Sequence, residues 1–150
     1  MSASAKGGHG ASARRPALLL LYVSGLLLAG CLESLSTTRL PGGAARNFFY
    51  YLAHNEPANA NTYWAPDHMP ANASEQVATA AEALQEYEVD VVKSEATPES
   101  DGVMRVTLTG HAHRRGEAVG PERPLAHMRL IEIGPGWRVI QFDVFTSPEP

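Results

Sequence analysis

Residues 124–145 read Pro124-Leu-Ala-His-Met-Arg-Leu-Ile-Glu-Ile-Gly-Pro-Gly-Trp-Arg-Val-Ile-Gln-Phe-Asp-Val-Phe145. Apolar and polar side chains alternate on both sides of a glycine- and proline-bearing break. That is the period of two of half-buried strands, and the break is short enough to join them as an antiparallel hairpin. A three-residue loop, Gly134-Pro135-Gly136, sets Ile133 opposite Trp137. Glu132 then meets Arg138, Leu130 meets Ile140, Met128 meets Phe142 and Ala126 meets Val144, so like sits against like and one charge finds its complement. Register matters because a slip of one residue would exchange the two faces of the sheet.

The same period extends upstream. Tyr87 to Glu95 and Val103 to Arg114 alternate in the same way around the turn Pro98-Glu-Ser-Asp-Gly102, giving four strands in sequence. Setting Leu108 opposite Leu130 gathers Met104, Val106, Leu108, Met128, Leu130, Ile140, Phe142 and Val144 on one face. Before Gln85 the period is that of a helix. Ala45, Phe48, Phe49 and Leu52 recur at i, i+3, i+4 and i+7, and Asn55-Glu56-Pro57 stops the run. Pro57 opens a shorter segment from Ala58 to Trp64, whose Ala60, Tyr63 and Trp64 can pack, and Pro66 ends it. A third helix starts at Asn72, with Glu75 placed to complete a capping box and a face of Val77, Ala80 or Ala81, and Leu84. The expected fold is α+β: three N-terminal helices packed on one face of a curved four-stranded antiparallel sheet, a cone-shaped roll.

On the opposite face, this register puts His111 against His127 and His127 against Asp143, with Thr109, His113 and Arg129 beside them. His-x-His on a strand points two imidazoles the same way, and His111, His113, His127 and Asp143 are the residue types of a zinc ligand set. Arg129 would repel a cation there, and the plainer reading is a polar sheet end or a patch against another subunit. His127 and Asp143 could also orient a general base, yet the pattern supplies no nucleophile. Should the cone be hollow, Phe48, Phe49, Leu52 and Trp64 are the candidates to line a pocket for a small apolar ligand. The aromatic residues otherwise default to core packing. No cofactor motif is present, and the sequence leans away from an enzyme.

The N-terminal part carries a different message. Residues 1–30 hold Lys6, Arg14 and Arg15 and no acid, then an apolar run from Ala17 to Gly30. That run is shorter than the ~20 residues a spanning helix needs, and it ends in small residues, as a cleaved export signal does. Leu28-Ala29-Gly30-Cys31 resembles the lipobox of bacterial lipoproteins. The resemblance implies cleavage before Cys31 and acylation of its thiol, hence a membrane anchor through covalent lipid. Cys31 is the only cysteine, so the acylated chain would hold no thiol, disulfide or cysteine metal ligand. The expected organisation is a signal over 1–30, the lipidated cysteine and a tether over 31–43, and one domain over 44–147. A tether of about a dozen residues, behaving as flexible chain, reaches ~20 Å. Leu32 is not the aspartate that retains lipoproteins in the inner membrane of enteric-type bacteria, so the outer membrane, facing the periplasm, is the favoured address.

Without residues 1–30 the chain keeps nine Lys+Arg against 16 Asp+Glu, a net charge of −7. An acidic domain lacks the broad basic footprint that nucleic acid or an anionic membrane surface attracts, and no nucleic-acid partner is expected.

Three helices bearing Phe48-Phe49-Tyr50-Tyr51-Leu52-Ala53, followed by long strands ending in Gly136-Trp137-Arg138-Val139-Ile140, resemble the nuclear-transport-factor-two-like superfamily, shared with SnoaL-type cyclases and scytalone dehydratase. Within it the chain is similar to small lipoproteins whose domain opens on a Phe-Tyr helix and an Asn/Gly-Asp/Glu turn, here Asn55-Glu56. The resemblance spans residues 41–145. It implies a space between helices and sheet that serves in some members as an active site and in others as a binding pocket or a dimer surface. Fold does not fix which, and the helix-facing side read here is apolar, unlike the Asp/His pocket of the enzymes. The expected function is a membrane-anchored, non-catalytic module that binds a small apolar ligand or another envelope protein. The alternatives are a His/Asp-dependent, metal-using enzyme and a structural module that dimerises through its sheet.

Overall fold

The structure, a computed structural model, describes residues 39–145. Leu28, Ala29, Gly30 and Cys31 lie outside the described residues. Three helices precede the sheet: α1 (Pro41–Ala53), α2 (Pro57–Asn61) and α3 (Ala73–Leu84), with a 3-10 turn at Pro66–His68 between the last two. Strands β1 (Tyr87–Pro98), β2 (Val103–Arg114), β3 (Arg123–Ile133) and β4 (Gly136–Val144) form one antiparallel meander in sequence order. The α+β architecture expected from the switch of period is therefore the one observed. Among the described residues no helix is long and apolar enough to cross a membrane.

Helix α1 starts earlier than the breakers in its first turn suggest. Pro41 occupies the first helical position, where its missing N–H costs nothing, and Gly42 lets the turn approach β1. A Cβ at Gly42 would lie 2.7 Å from Ser94 Oγ. The helix buries Ala44, Ala45, Phe48, Phe49 and Leu52, as the i, i+3, i+4 spacing requires. Helix α3 buries Ala73, Val77, Ala81 and Leu84, settling the choice between Ala80 and Ala81. Its capping box does not form. Asn72 is the N-cap by position, but its side chain accepts from Gln76 Nε2 at 2.8 Å rather than from a backbone N–H.

The hairpin is tighter than the sequence reading. Ile133 pairs with Gly136 across a two-residue loop, Gly134-Pro135. Gly134 has φ 61° and precedes a proline whose φ is fixed negative, the sign pattern of a type II′ hairpin turn. The far end nonetheless keeps the expected pairs Met128–Phe142 and Ala126–Val144, because an extra residue, Ile140, bulges out between Val139 and Gln141. The bulge swaps the inward residue. Val139, fully buried, replaces Ile140 opposite Leu130, and Trp137 moves opposite Glu132.

Between β2 and β3 the register differs by four residues. Leu108 pairs with Ala126 and Met104 with Leu130. An even shift keeps the faces, so Val106, Leu108, Met128 and Leu130 are still buried beneath the helices. The eight-residue connection from Arg115 to Glu122 leaves the pairing free to be set by the strands themselves. Two further bulges, at Val92 and Leu125, bend β1 and β3. The one at Leu125 turns two successive side chains, Leu125 and Ala126, into the core.

Both sheet edges are covered in part. Along β1, Arg46 donates to Val91 O and Val92 O at 3.2 Å each and to Ser94 Oγ at 3.3 Å. Along β4, the Tyr63–Ala65 segment exchanges two backbone bonds of 2.8 Å with Val139. Such cover blunts the free edges against pairing with another chain.

Candidate functional site

The interior under the helices is solid. Phe48 has no exposed surface, and its ring meets those of Tyr63, Trp64 and Phe142 edge-on at centroid distances of 6.5, 6.4 and 4.9 Å. Phe49, Leu52 and Trp64 are at most 4% exposed. These four residues, the sequence's candidates for an apolar pocket, pack together in the core between α1, α2 and the sheet, and Phe49 also borders an open groove of about 290 Å³ between α1 and β1. Interlocked aromatic rings of this kind are core packing.

The outer sheet face holds a groove of about 400 Å³, open to solvent and lined by polar side chains that include Arg105, Thr107, His127, Arg129, Gln141 and Asp143. Alternation along β2, β3 and β4 puts all six on the side away from the helices. Glu99, at the start of the β1–β2 turn, reaches over this face and bridges two cations, 2.5 Å from Arg105 Nη2 and 2.8 Å from Arg129 Nε. The hydrogen bond from Arg129 is the main reason that its carboxyl sits below the usual glutamate range. Arg129 also donates to Gln141 Oε1 at 3.3 Å. The groove therefore mixes signs, with both guanidinium groups already turned toward a carboxylate.

The histidines do not converge. His127 opposes Thr107, with Nδ1 3.0 Å from Thr107 Oγ1, and its ring meets Phe145 edge-on at 5.1 Å. His111 lies opposite Asp90 and contacts Gly120 O at 2.9 Å, while His113 lies 3.3 Å from Glu88 Oε2. Four residues along a strand separate Thr107 from His111, about 13 Å. Of the proposed zinc set, His127 and Asp143 face each other across β3 and β4, while His111 and His113 stand two residues apart on β2 and well away from them. The set His111, His113, His127 and Asp143 is thus corrected to two separate pairs, because bringing them together required the register that the structure replaces. Among the described residues no three His, Cys, Asp or Glu side chains are grouped to hold a metal.

The Thr107–His127 contact was not visible in the sequence, since it too depends on the shifted register. Chemically it is a hydroxyl beside an imidazole on an open face. No carboxylate hydrogen-bonds that imidazole among the described residues, and nothing encloses the pair to exclude water, so the two features that activate a hydroxyl nucleophile are missing.

Comparison with known proteins adds little. No family model matches the chain, and no curated protein does. Several solved structures resemble it, three of them as follows. A protein of the NTF2-like family from Streptomyces avermitilis aligns at TM-score 0.44 and 12% identity, over 66% of this chain and 88% of its own. A SEC-C motif containing protein from Rhodopseudomonas palustris gives 0.45 and 14%, over 72% and 79%. The intermembrane space region of the chloroplast protein ARC6 gives 0.36 and 18%, over 73% and 99%. Likeness at this level is one of outline and carries no argument about what this chain does.

Proposed function

We propose that the chain is an exported lipoprotein, held by acylated Cys31 at the outer membrane facing the periplasm, whose domain is a non-catalytic module that binds another envelope protein through the outer face of its sheet. The observation that carries this reading is the filled interior. With Phe48, Phe49, Leu52 and Trp64 packed on one another, the space where the superfamily would place a small ligand is occupied by side chains. Binding is left to the surface, where the mixed-charge groove of β2, β3 and β4 offers the hydrogen-bonding rim typical of a protein contact.

Two measurements test it. Replacing Cys31 with Ser should abolish palmitate incorporation and release the protein from the membrane fraction; unchanged incorporation would refute the anchor. A photo-crosslinking residue at Gln141 should give one discrete adduct in the envelope, absent when the same residue replaces Glu75 on α3. An adduct of twice the chain's mass would reassign the face to a second copy, the structural dimer. Equal labelling from both positions would sink the sheet-face reading.

A further inference from the structure

The described chain begins at Arg39, and Arg39 lines a groove of about 350 Å³ together with Tyr63, Trp137 and Arg138. This groove sits where the tether enters the domain, at the β3–β4 turn. Its charge is the reverse of the domain's. No Asp or Glu lines it, and among the described residues neither arginine makes an ion pair. The nearest acid by register is Glu132, opposite Trp137 and exposed. Leu40, next to Arg39, is 66% exposed. Two arginines, a half-buried tryptophan, a tyrosine and a bare leucine are the residue types that settle at the boundary between lipid headgroups and acyl chains.

Chain length brings that boundary to them. Eight residue steps separate Cys31 from Arg39, so even a fully extended tether keeps the two Cα atoms within about 28 Å. The opposite pole, at the β2–β3 loop, is a strand length further, about 30 Å for the nine residues of β4. It could reach the bilayer only with the tether drawn nearly straight. We propose that the Arg39–Tyr63–Trp137–Arg138 groove docks on anionic phospholipid headgroups and fixes the domain in one orientation on the membrane to which Cys31 ties it. The inference rests on the anchor proposed above. It also revises the expectation drawn from net charge, because −7 is an average that conceals a local positive end.

The test uses the full chain, matured in cells and reconstituted into vesicles of phosphatidylcholine alone or doped with phosphatidylglycerol. Acylation leaves no other thiol, so a spin label on Thr62→Cys reports the groove and one on Glu117→Cys reports the opposite pole. In the anionic vesicles the Thr62 label should become shielded from an aqueous relaxing agent and accessible to oxygen, while the Glu117 label stays in water. The docked-to-free ratio should exceed that in phosphatidylcholine by roughly 30-fold, the factor expected of two arginines at an anionic surface. Arg39→Glu with Arg138→Glu should abolish the difference, and the milder Arg39→Gln with Arg138→Gln should reduce it with the circular dichroism unchanged. If the protein floats with the vesicles but both labels remain equally wet, the docking inference is wrong and the anchor stands. If it does not float with them at all, the anchor fails and the inference falls with it.

Discussion

Truncating Phe48 to alanine tests the filled interior on which the functional reading depends. The ring has no solvent exposure and three aromatic neighbours, the tightest being Phe142 at 4.9 Å. Removing it deletes the transfer energy of the side chain and leaves a cavity, which together cost about 3–5 kcal/mol. Edge-to-face partners each add ~0.5–1.5 kcal/mol beyond buried area, so the loss should fall near 4 kcal/mol. Phe48→Leu keeps most of the volume and should lose only about 1–1.5 kcal/mol. A domain of this size holds roughly 5–15 kcal/mol in total, so the alanine variant should be folded but close to its limit. Equilibrium urea unfolding read by tryptophan fluorescence measures both values. The folded alanine variant should also gain saturable binding of benzene that the parent lacks. Saturable benzene binding by the parent, or a loss below ~1 kcal/mol for Phe48→Ala, would refute the solid interior.

Gly110 lies in β2 beside the bulges of β1 and β3, and a Cβ there would stand 1.9 Å from Asp90 O, a backbone atom that cannot rotate away. Gly110→Ala should therefore cost about 3 kcal/mol, the upper end for overpacking, in the same urea assay. Because His111 and His127 sit on separate parts of the sheet, the parent should bind less than a tenth of an equivalent of zinc, roughly, and its melting should not respond to the metal; a full equivalent, lost in His111→Ala with His127→Ala, would restore the metal reading. The carboxyl of Glu99 is held below its ordinary value of 4.5 by Arg129 and Arg105. It therefore stabilises the fold above that pH and loses its contribution as pH falls through the lowered value, and Glu99→Gln should flatten the acid limb of the stability profile.

The layer order was legible because each element carries its own period. The spacing of Ala45, Phe48, Phe49 and Leu52 and the alternation of residues 124–145 both survive into the structure. Pairing was legible only where a short turn constrained it. At the β3–β4 hairpin the far pairs were found, although the loop was one residue too long, since a bulge at Ile140 compensates and bulges leave no mark in the alternation. Between β2 and β3 nothing local fixes the register, and a shift of four residues satisfies the hydrophobic pattern as well as none. The faces were therefore right and the neighbours wrong. Sites that depended on the β2–β3 pairing went with it: the histidine cluster dissolved and the Thr107–His127 contact went unseen, whereas the His127–Asp143 pair, set by the β3–β4 hairpin, survived. The groove at Arg39 was invisible for another reason, since it joins residues 39, 63, 137 and 138, which no sequence window brings together.

The two surface features constrain each other. If the Arg39 groove lies on the headgroups, the strands rise from the bilayer, and the β3–β4 turn is near the lipid while the β2–β3 loop points into the periplasm. The face bearing Arg105, His127 and Gln141 then looks sideways, neither pressed on the membrane nor turned away from it. A partner that meets it must stand at the same height, within the ~30 Å that β4 spans above the surface. Docking would also reduce the orientational freedom lost on binding, which otherwise opposes association. Arg39→Gln with Arg138→Gln should accordingly weaken the adduct from Gln141 without touching the sheet face, provided the partner is itself held near the membrane. Equal adduct yield in parent and variant would separate the two surfaces and leave the groove with no part in partner binding.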